Sequence, residues 1–235
     1  MIQHPCSRLA ALLFILFIGG CSQGDERTAS APSEPDSTTA SLSREQAALL
    51  DPQLARDEAP ETFRVRFQTT KGAFEVEANR TWAPIGVDRF YNLVRIGFFE
   101  DAAFFRAVPG FIVQFGVNGD PAVTKAWSTA TIPDDPPRES NARGYLSYAK
   151  GDVDSRTTQL FINLKDNKEL DSNGFAPIAH VTEGMDVVDQ LYSGYGELYP
   201  IGNGPRFQLL NLRGNEYLRQ HFPEMDYIQT AELVQ

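Results

Sequence analysis

Hydrophobic and polar residues alternate in two neighbouring stretches of the chain in the manner of short β-strands. Every second residue is apolar in 63–67 and again in 74–76, and charged or amide side chains lie between them. A period of two places the apolar residues on one face of a strand. Because the two runs flank Lys71-Gly72, we predict a β-hairpin with one solvated face.

More short strands follow at similar length. Two are predicted on either side of Pro109-Gly110, and four others are expected at Gly144–Ala149, Gln159–Asn163, Ala176–Val181 and Tyr227–Val234. Many short strands favour a β-barrel or a β-sandwich over a doubly wound parallel sheet.

The helical period marks two convincing helices and one short one. The first has Thr81 as its predicted cap, Pro84 in its first turn and an end before Gly97. The second is expected at Gly184–Leu191, and a short helix at Gly214–Phe222. We therefore predict a mainly β domain with few helices.

The N-terminus carries an uninterrupted apolar run at residues 9–18, after His4 and Arg8. A bilayer span needs roughly 20 apolar residues, so this run is too short to cross a membrane but suits the hydrophobic part of a signal peptide. We predict a signal peptide at residues 1–20.

Cys21 follows this run directly, after Gly19 and Gly20. The arrangement resembles the signal of bacterial lipoproteins, in which small residues precede a lipid-bearing cysteine. The resemblance implies lipidation of Cys21 and membrane anchoring in the bacterial envelope. Ser22 favours the outer membrane, with the protein facing the periplasm. The alternative is an ordinary secretory signal with an incidental cysteine.

A tether is predicted at residues 21–60, because Ser, Thr, Ala, Pro and acidic residues dominate there and aromatic residues are absent. One exception is Ser43-Arg44-Glu45-Gln46, a capping-box pattern that opens the apolar run 47–50. So short a helix is marginal alone, so it is either transient or docked on the domain. The folded domain is expected at residues 61–235.

The composition excludes several classes of function. A formal net charge of −10 disfavours nucleic acid as a partner, since phosphate binding needs a basic surface. The only cysteines are Cys6 and Cys21, both near the N-terminus, and the three histidines share no local spacing. We therefore expect no disulfide in the domain, no metal site and no cofactor.

The most apolar stretch outside the N-terminus, residues 104–116, contains one cation, Arg106, and one amide, Gln114. A charge among aromatic side chains is costly unless it is paired or aimed at a ligand. A two-residue loop at Pro109-Gly110 would place Arg106 opposite Val113 and leave Gln114 on the other face. A Pro-Gly turn of type II, however, splays tight hairpins.

Three ordered stretches resemble the cyclophilin family of peptidyl-prolyl cis-trans isomerases. The first, residues 105–114, reads Phe-Arg-Ala-Val-Pro-Gly-Phe-Ile-Val-Gln. The second is 144–149 followed by 159–163, and the third is 170–171 followed by 174–188. The resemblance covers about residues 62–191. It implies a closed eight-stranded antiparallel barrel capped by two helices, with 227–234 as the last strand.

The resemblance also implies a site and an activity. It assigns catalysis to Arg106 and Gln114, and substrate binding to the following residues: Phe111, Ile112, Ala149, Gln159, Phe161, Leu170 and Phe175. Arg106, Phe111 and Gln114 should then converge on one groove. The expected partner is a proline-containing unfolded or extended polypeptide, bound by a monomer.

This sequence departs from the family pattern at several positions. Lys150 stands where the family has asparagine, Glu169 where it has a tryptophan important for cyclosporin binding, and Phe175 where it has a histidine. We therefore expect weak inhibition by cyclosporin.

The leading hypothesis is an isomerase that rotates X-Pro bonds and so assists the folding of envelope or secreted proteins. The alternatives are a catalytically weak cyclophilin-like module or chaperone that binds proline-containing segments, and a structural envelope lipoprotein. The resemblance leaves residues 192–225 as an insertion before the last strand, which could cover the groove, bind a partner or pack on the barrel.

Overall fold

The computed structural model describes residues 43–234. Its helices are α1 (Arg44–Leu50), α2 (Pro84–Arg95), α3 (Pro121–Trp127), α4 (Glu169–Ser172), α5 (Met185–Asp189) and α6 (Phe207–His221). Its strands are β1 (Thr62–Thr69), β2 (Gly72–Asn79), β3 (Arg106–Val108), β4 (Ile112–Phe115), β5 (Tyr145–Tyr148), β6 (Leu160–Asn163), β7 (Pro177–Glu183) and β8 (Ile228–Val234). A short 3₁₀ turn covers Pro52–Leu54.

The eight strands form one curled antiparallel sheet in the order β3-β4-β6-β5-β7-β2-β1-β8. The sheet therefore has two edge strands, β3 and β8. Just beside them, a single isolated bridge joins Ala103 to Tyr227. The predicted strand number and antiparallel pairing are confirmed, but a closed barrel is not. Between β3 and β8, the described residues form one isolated bridge and no continuous ladder of strand hydrogen bonds.

Alternating residues of β1 and β2 build the core under the sheet. The hairpin has the predicted register, with Phe67 opposite Phe74 and Val65 opposite Val76. The rings of Phe67 and Phe74 stack at 4.9 Å, and Phe90 of α2 lies 6.4 Å from Phe67. All these side chains are buried, so aromatic burial supplies much of the stability of this layer.

Helix α2 begins at Pro84, later than a cap at Thr81 would imply, and Thr81 does not cap it. The N-cap position is Ala83, whose side chain makes no capping bond. Asp135, from a distant loop, accepts hydrogen bonds from the N–H groups of Ile85 (3.1 Å) and Gly86 (2.8 Å). A carboxylate there satisfies orphan donors and complements the helix dipole, so the cap comes from tertiary structure.

The segment 43–60 belongs to the same compact unit as the residues that follow it. Ser43 and Gln46 form the expected capping box of α1. Ala48 is buried, and the indole nitrogen of Trp127 donates a 3.0 Å hydrogen bond to the carbonyl of Leu49. Of the two possibilities left open for this helix, docking is the one observed.

The insertion 192–225 forms a second, smaller hydrophobic cluster beside the main core. It contains α6, which begins earlier than predicted and is kinked at Gly214, where the backbone leaves helical geometry (φ +52°). It contacts the stretch before β3, where the ring centres of Phe105 and Phe207 lie 6.3 Å apart. The insertion therefore packs against the sheet next to Arg106.

The predicted signal peptide and Cys21 lie outside the described residues. Of the helices in residues 43–234, none combines the length and apolar character that crossing a bilayer requires.

Candidate functional site

Arg106 and Gln114 face each other across the β3–β4 hairpin. The register pairs Arg106 with Gln114 and Val108 with Ile112, which leaves three residues in the loop. The Phe111 N–H donates to the Val108 carbonyl (3.0 Å), and Gly110 adopts the positive φ (+66°) that a type II turn requires at this position. A two-residue loop would have placed Val113 opposite Arg106. The third loop residue shifts the pairing by one residue, so Gln114 lies opposite Arg106 and shares a face with it.

The site lies on the sheet face turned away from the main core. On β4, Val113 and Phe115 belong to the core cluster, whereas Ile112 and Gln114 point to the opposite face. On β6, Phe161 lies directly opposite Gln114. The period-two geometry therefore collects site residues from β3, β4 and β6 on one surface.

A chain of hydrogen bonds connects the polar members. The Arg106 Nη1 donates to Gln114 Oε1 (2.9 Å), and Gln114 Nε2 donates to Gln159 Oε1 (3.0 Å). The Arg106 guanidinium also lies 5.8 Å from the ring centre of Phe111. Gln114 is buried, so its amide is held rather than solvated. These four predicted residues therefore lie in one contiguous cluster.

The apolar members form the adjoining wall. Phe161 and Phe175 meet edge to face, with ring centres 5.7 Å apart. The Phe175 N–H donates to the carbonyl of Leu170 (3.1 Å), and the Ala149 N–H donates to the carbonyl of Gln159 (2.9 Å). Phe161 is buried, while the other four residues are partly exposed. An apolar side chain could therefore be received here.

A buried asparagine network behind this wall was not predicted. Asn167 Nδ2 donates to the carbonyl of Phe111 (2.9 Å) and to Asn163 Oδ1 (2.8 Å). Asn141 receives hydrogen bonds at Oδ1 from Ser147 and Asn163, and its N–H groups donate to Asp171. The network joins the hairpin loop to the segment carrying Leu170. Its members are scattered along the sequence, so no motif or periodicity indicated the network.

Asp171 anchors one end of that network. Burial alone raises the pKa of this carboxyl, but hydrogen bonds from Ser140 and Asn141 outweigh the burial and hold the pKa below its ordinary value. Asp171 therefore stays ionised at neutral pH and fixes the loop next to Leu170.

Two of the three departures from the family pattern, Lys150 and Glu169, fall at the edge of the site. Lys150 Nζ lies 5.6 Å from the ring centre of Phe175 and donates to Asp134 at 2.7 Å. The carboxylate therefore holds the cation against the pocket wall. Glu169 is exposed at the start of α4.

Sequence reasoning missed one charged member of the site, Glu197 of the insertion. Its carboxylate accepts from Arg106 Nε (2.9 Å) and from Arg106 Nη2 (2.5 Å). The two residues are 91 positions apart, and nothing in the motif stretches connects them.

An open cavity of about 720 Å³ adjoins Gln159. It lies between residues 157–159, α3 and α6, with Val117 and Phe207 among its apolar walls. The groove therefore continues from Gln159 towards the insertion. Within residues 43–234, no group of three or more His, Cys, Asp or Glu side chains is placed to hold a metal ion.

Comparisons with known proteins agree on one family. The family described as cyclophilin type peptidyl-prolyl cis-trans isomerase/CLD matches residues 64–201, more than half of the chain. Peptidyl-prolyl cis-trans isomerase A of Dickeya dadantii is 33% identical over 132 residues, covering 54% of this chain and 70% of the relative. Peptidyl-prolyl cis-trans isomerase B of Escherichia coli is 31% identical over 136 residues, covering 54% and 82%.

Solved structures show the same fold. A cyclophilin-type isomerase from Cryptosporidium parvum superposes with a TM-score of 0.56 at 18% identity, covering 74% of this chain and 98% of that one. A cyclophilin from Hirschia baltica gives a TM-score of 0.53 at 18% identity, covering 74% and 75%. With its motifs, sheet and site geometry in agreement, this chain belongs to the cyclophilin-type peptidyl-prolyl cis-trans isomerase family.

Proposed function

We propose that this chain rotates X-Pro bonds of extended polypeptides on the exposed groove of β3, β4 and β6, with Arg106 as the catalytic donor and Gln114 as its partner. The chain acts as a monomer in the bacterial envelope, where it assists the folding of secreted or envelope proteins. The proposed catalytic role rests on the position of the Arg106 guanidinium and on the hydrogen bonds that hold it.

The reaction needs little more than a well-placed donor. The X-Pro bond has only about 0.5–1 kcal/mol of trans preference, but amide resonance imposes a barrier of about 18–20 kcal/mol. As the amide twists, its nitrogen becomes pyramidal and its lone pair, no longer delocalised into the carbonyl, becomes available to a donor. A donor aimed at that nitrogen binds the twisted state more tightly than either planar state and so lowers the barrier.

Arg106 meets this requirement in three ways. Its guanidinium carries a permanent positive charge, as arginine does in proteins. Gln114 accepts a hydrogen bond from one side of the guanidinium. The Phe111 ring, whose centre lies 5.8 Å from the guanidinium carbon, shields it from water. Arginine has five N–H groups, and three are engaged among the residues that the structure describes. One N–H on each terminal nitrogen is left for the substrate.

The neighbouring surfaces suit a proline-containing chain. Phe111, Phe161 and Phe175 offer an apolar wall for the pyrrolidine ring, and the cavity beside Gln159 has room for residues next to it. The cyclophilin from Cryptosporidium parvum has been crystallised in the presence of the dipeptide Ala-Pro, which supports the same substrate chemistry here.

The catalytic part is tested with the purified full-length protein in a proline isomerisation assay on a short Xaa-Pro peptide. Arg106→Ala should lower kcat/KM by about 10²–10³-fold, as expected for loss of one preorganised donor. The matched control is Arg64→Ala, which removes an arginine from β1, a strand near the opposite edge of the sheet. This control should keep the wild-type rate.

Full activity in Arg106→Ala would contradict the assigned role. Tight binding of the peptide by wild-type protein without turnover would instead favour the catalytically weak binding module.

The envelope location rests on Gly19-Gly20-Cys21 after the apolar run 9–18. We expect wild-type protein to fractionate with the outer membrane, and its mature N-terminal peptide to carry acyl chains on Cys21 by mass spectrometry. Cys21→Ser should appear in the soluble periplasmic fraction. An unlipidated mature N-terminus in wild-type protein would favour an ordinary secretory signal.

A further inference from the structure

Glu197 and Gln114 hold the Arg106 guanidinium from two sides. Glu197 accepts from Nε and Nη2, at 2.9 and 2.5 Å, and Gln114 accepts from Nη1 at 2.9 Å. A bidentate carboxylate fixes the plane of a guanidinium as well as its position. With Gln114 alone, the group could still turn about its Cδ–Nε bond. The carboxylate therefore restricts the direction in which the two remaining N–H groups point.

The backbone places Glu197 opposite Arg106. Gly196 forms an isolated antiparallel bridge with Ala107 of β3. In an antiparallel pair, the residue after one partner lies opposite the residue before the other. The bridge therefore sets residues 197 and 106 against each other, so their pairing does not depend on a flexible loop reaching across the groove.

A glycine-rich turn packs against the backbone of Glu197. The Gly204 N–H donates to the Glu197 carbonyl at 2.8 Å. A Cβ at Gly204 would lie 2.6 Å from that carbonyl oxygen, and one at Gly202 only 2.5 Å from it. No larger residue fits at either position without displacing the chain. Gly202-Asn203-Gly204 is therefore explained by close packing on Glu197.

The Arg106–Glu197 ion pair is more buried than a second ion pair that joins the insertion to the rest of the domain, between Arg219 and Asp101. The side chains of Arg106 and Glu197 are 20% and 27% exposed. In the pair between Arg219 of α6 and Asp101, they are 59% and 55% exposed. Exposed pairs contribute little and move freely, whereas partly desolvated bidentate pairs restrict geometry.

We propose that Glu197 is a positioning residue for the isomerase reaction, which holds Arg106 in its productive orientation from within the insertion. The proposal rests on the proposed function, since it takes Arg106 as the catalytic donor. It also gives the insertion a definite role, as the wall that completes the donor side of the groove.

The first test compares Glu197→Gln with wild-type full-length protein on one Xaa-Pro peptide. The amide keeps the shape but loses the charge and one acceptor. We expect kcat to fall by at least about 10-fold with KM within about twofold, because a misplacement of about 1 Å in a catalytic group costs on the order of 10²-fold. Arg219→Gln, which breaks the exposed pair on the same insertion, should keep the wild-type kcat.

A spectroscopic measurement separates positioning from simple tethering of the insertion. The Nε–H resonance of Arg106, identified by its loss in Arg106→Lys, should shift and broaden in Glu197→Gln. It should stay in place in Arg219→Gln.

A second variant moves Glu197 while keeping its carboxylate. Gly204→Ala places a methyl group against the Glu197 carbonyl and should lower kcat in the same direction. Gly151→Ala is the matched control, because a Cβ there meets nothing within 4 Å. Wild-type kcat in Gly204→Ala would overturn the role given to this turn.

The outcomes distinguish the two proposals. Loss of activity in Arg106→Ala, with wild-type kcat and an unmoved Nε–H resonance in Glu197→Gln, would overturn the positioning role and leave the proposed function standing. A raised kcat, or a raised KM at unchanged kcat, in Glu197→Gln would overturn it too. Absence of turnover in wild-type protein would overturn both.

Discussion

Two arginines, Arg106 and Arg156, have similar partners but opposite surroundings. Each guanidinium lies against an aromatic ring, 5.8 Å from Phe111 in one case and 5.7 Å from Tyr148 in the other. Each is paired with carboxylate. Arg106, however, is 20% exposed at a groove, whereas Arg156 is only 3% exposed inside the molecule.

Arg156 is enclosed in the molecule, and its partners are groups of the protein itself. Its Nη2 donates to Asp135 (2.9 Å) and to the carbonyl of Pro133. Its Nε lies 3.2 Å from Asp134 Oδ1, at ion-pair distance but without hydrogen-bond alignment. Asp135 in turn caps α2.

Burial also raises the pKa of the neighbouring Tyr148, so this phenol stays neutral. The enclosed guanidinium of Arg156 therefore stabilises the fold. The guanidinium of Arg106 has similar partners, but its exposed edge leaves N–H groups available to donate.

The largest effect on stability is expected for Arg156→Met. Removing the cation leaves Asp135 buried without its partner, and breaking a buried pair costs about 3–5 kcal/mol. The free energy of unfolding from urea denaturation should fall by that amount. The isomerase activity of the folded fraction should not change. A loss below about 1 kcal/mol would show that the cluster is not a clamp.

A smaller loss is expected for Asp134→Asn. Burial alone raises the pKa of Asp134, but the hydrogen bond from Lys150, the Asp154 N–H and the charges of Lys150 and Arg156 together lower it below its ordinary value. The variant should lose about 1.5–3 kcal/mol at pH 7, the range for hydrogen bonds to charged groups.

The pH dependence of this loss follows from the direction of the shift. A carboxyl whose pKa is lower in the folded state stabilises the fold above its unfolded pKa, near 3.8, and this contribution is lost as the pH falls through the folded value. Wild type and Asp134→Asn should therefore differ less at pH 3 than at pH 7 in urea denaturation. An equal difference at both pH values would contradict the pairing.

Arg106→Met should lower the isomerase activity with little loss of stability, which is the opposite of the result expected for Arg156→Met. The isomerase rate should fall sharply, but the free energy of unfolding should change by only about 1 kcal/mol or less, because Glu197 remains partly hydrated. Thermal and urea denaturation measure this directly. A loss as large as that of Arg156→Met would mean that Arg106 is a structural residue.

The smallest effect is expected for Arg219→Gln. Its pair with Asp101 is more than half exposed on both sides. Exposed pairs contribute about 0.2–1 kcal/mol, and salt screens them. The loss should therefore lie in that range at low ionic strength and disappear at high salt.

What could be predicted from the sequence was local. The hairpin around Phe67 follows from period-two alternation, the strands that contain Gln114 and Phe161 follow from short apolar runs, and the choice of Arg106 and Gln114 as candidate site residues follows from a contiguous motif. The three-residue hairpin was not predictable from Pro109-Gly110 alone, since its register depends on the pairing of β4 with β6.

Contacts between distant segments could not be predicted in the same way. Asp135 accepts a hydrogen bond from the N–H of Gly86, 49 residues earlier in the chain, and the Trp127 indole binds a carbonyl 78 residues away. Glu197 belongs to the same class. Each depends on how the sheet curls and on which loops meet, and neither propensity nor periodicity encodes that information.

The bridge between Ala107 and Gly196 has a consequence for assembly. Strand β3 is an edge of the sheet, and an open edge offers unpaired N–H and C=O groups to any extended chain. The extended polypeptides proposed as substrates are such chains. Because Gly196 is bridged to the middle residue of this three-residue strand, β3 cannot readily take one up as an extra strand, so we expect a substrate to bind through its side chains and to be released.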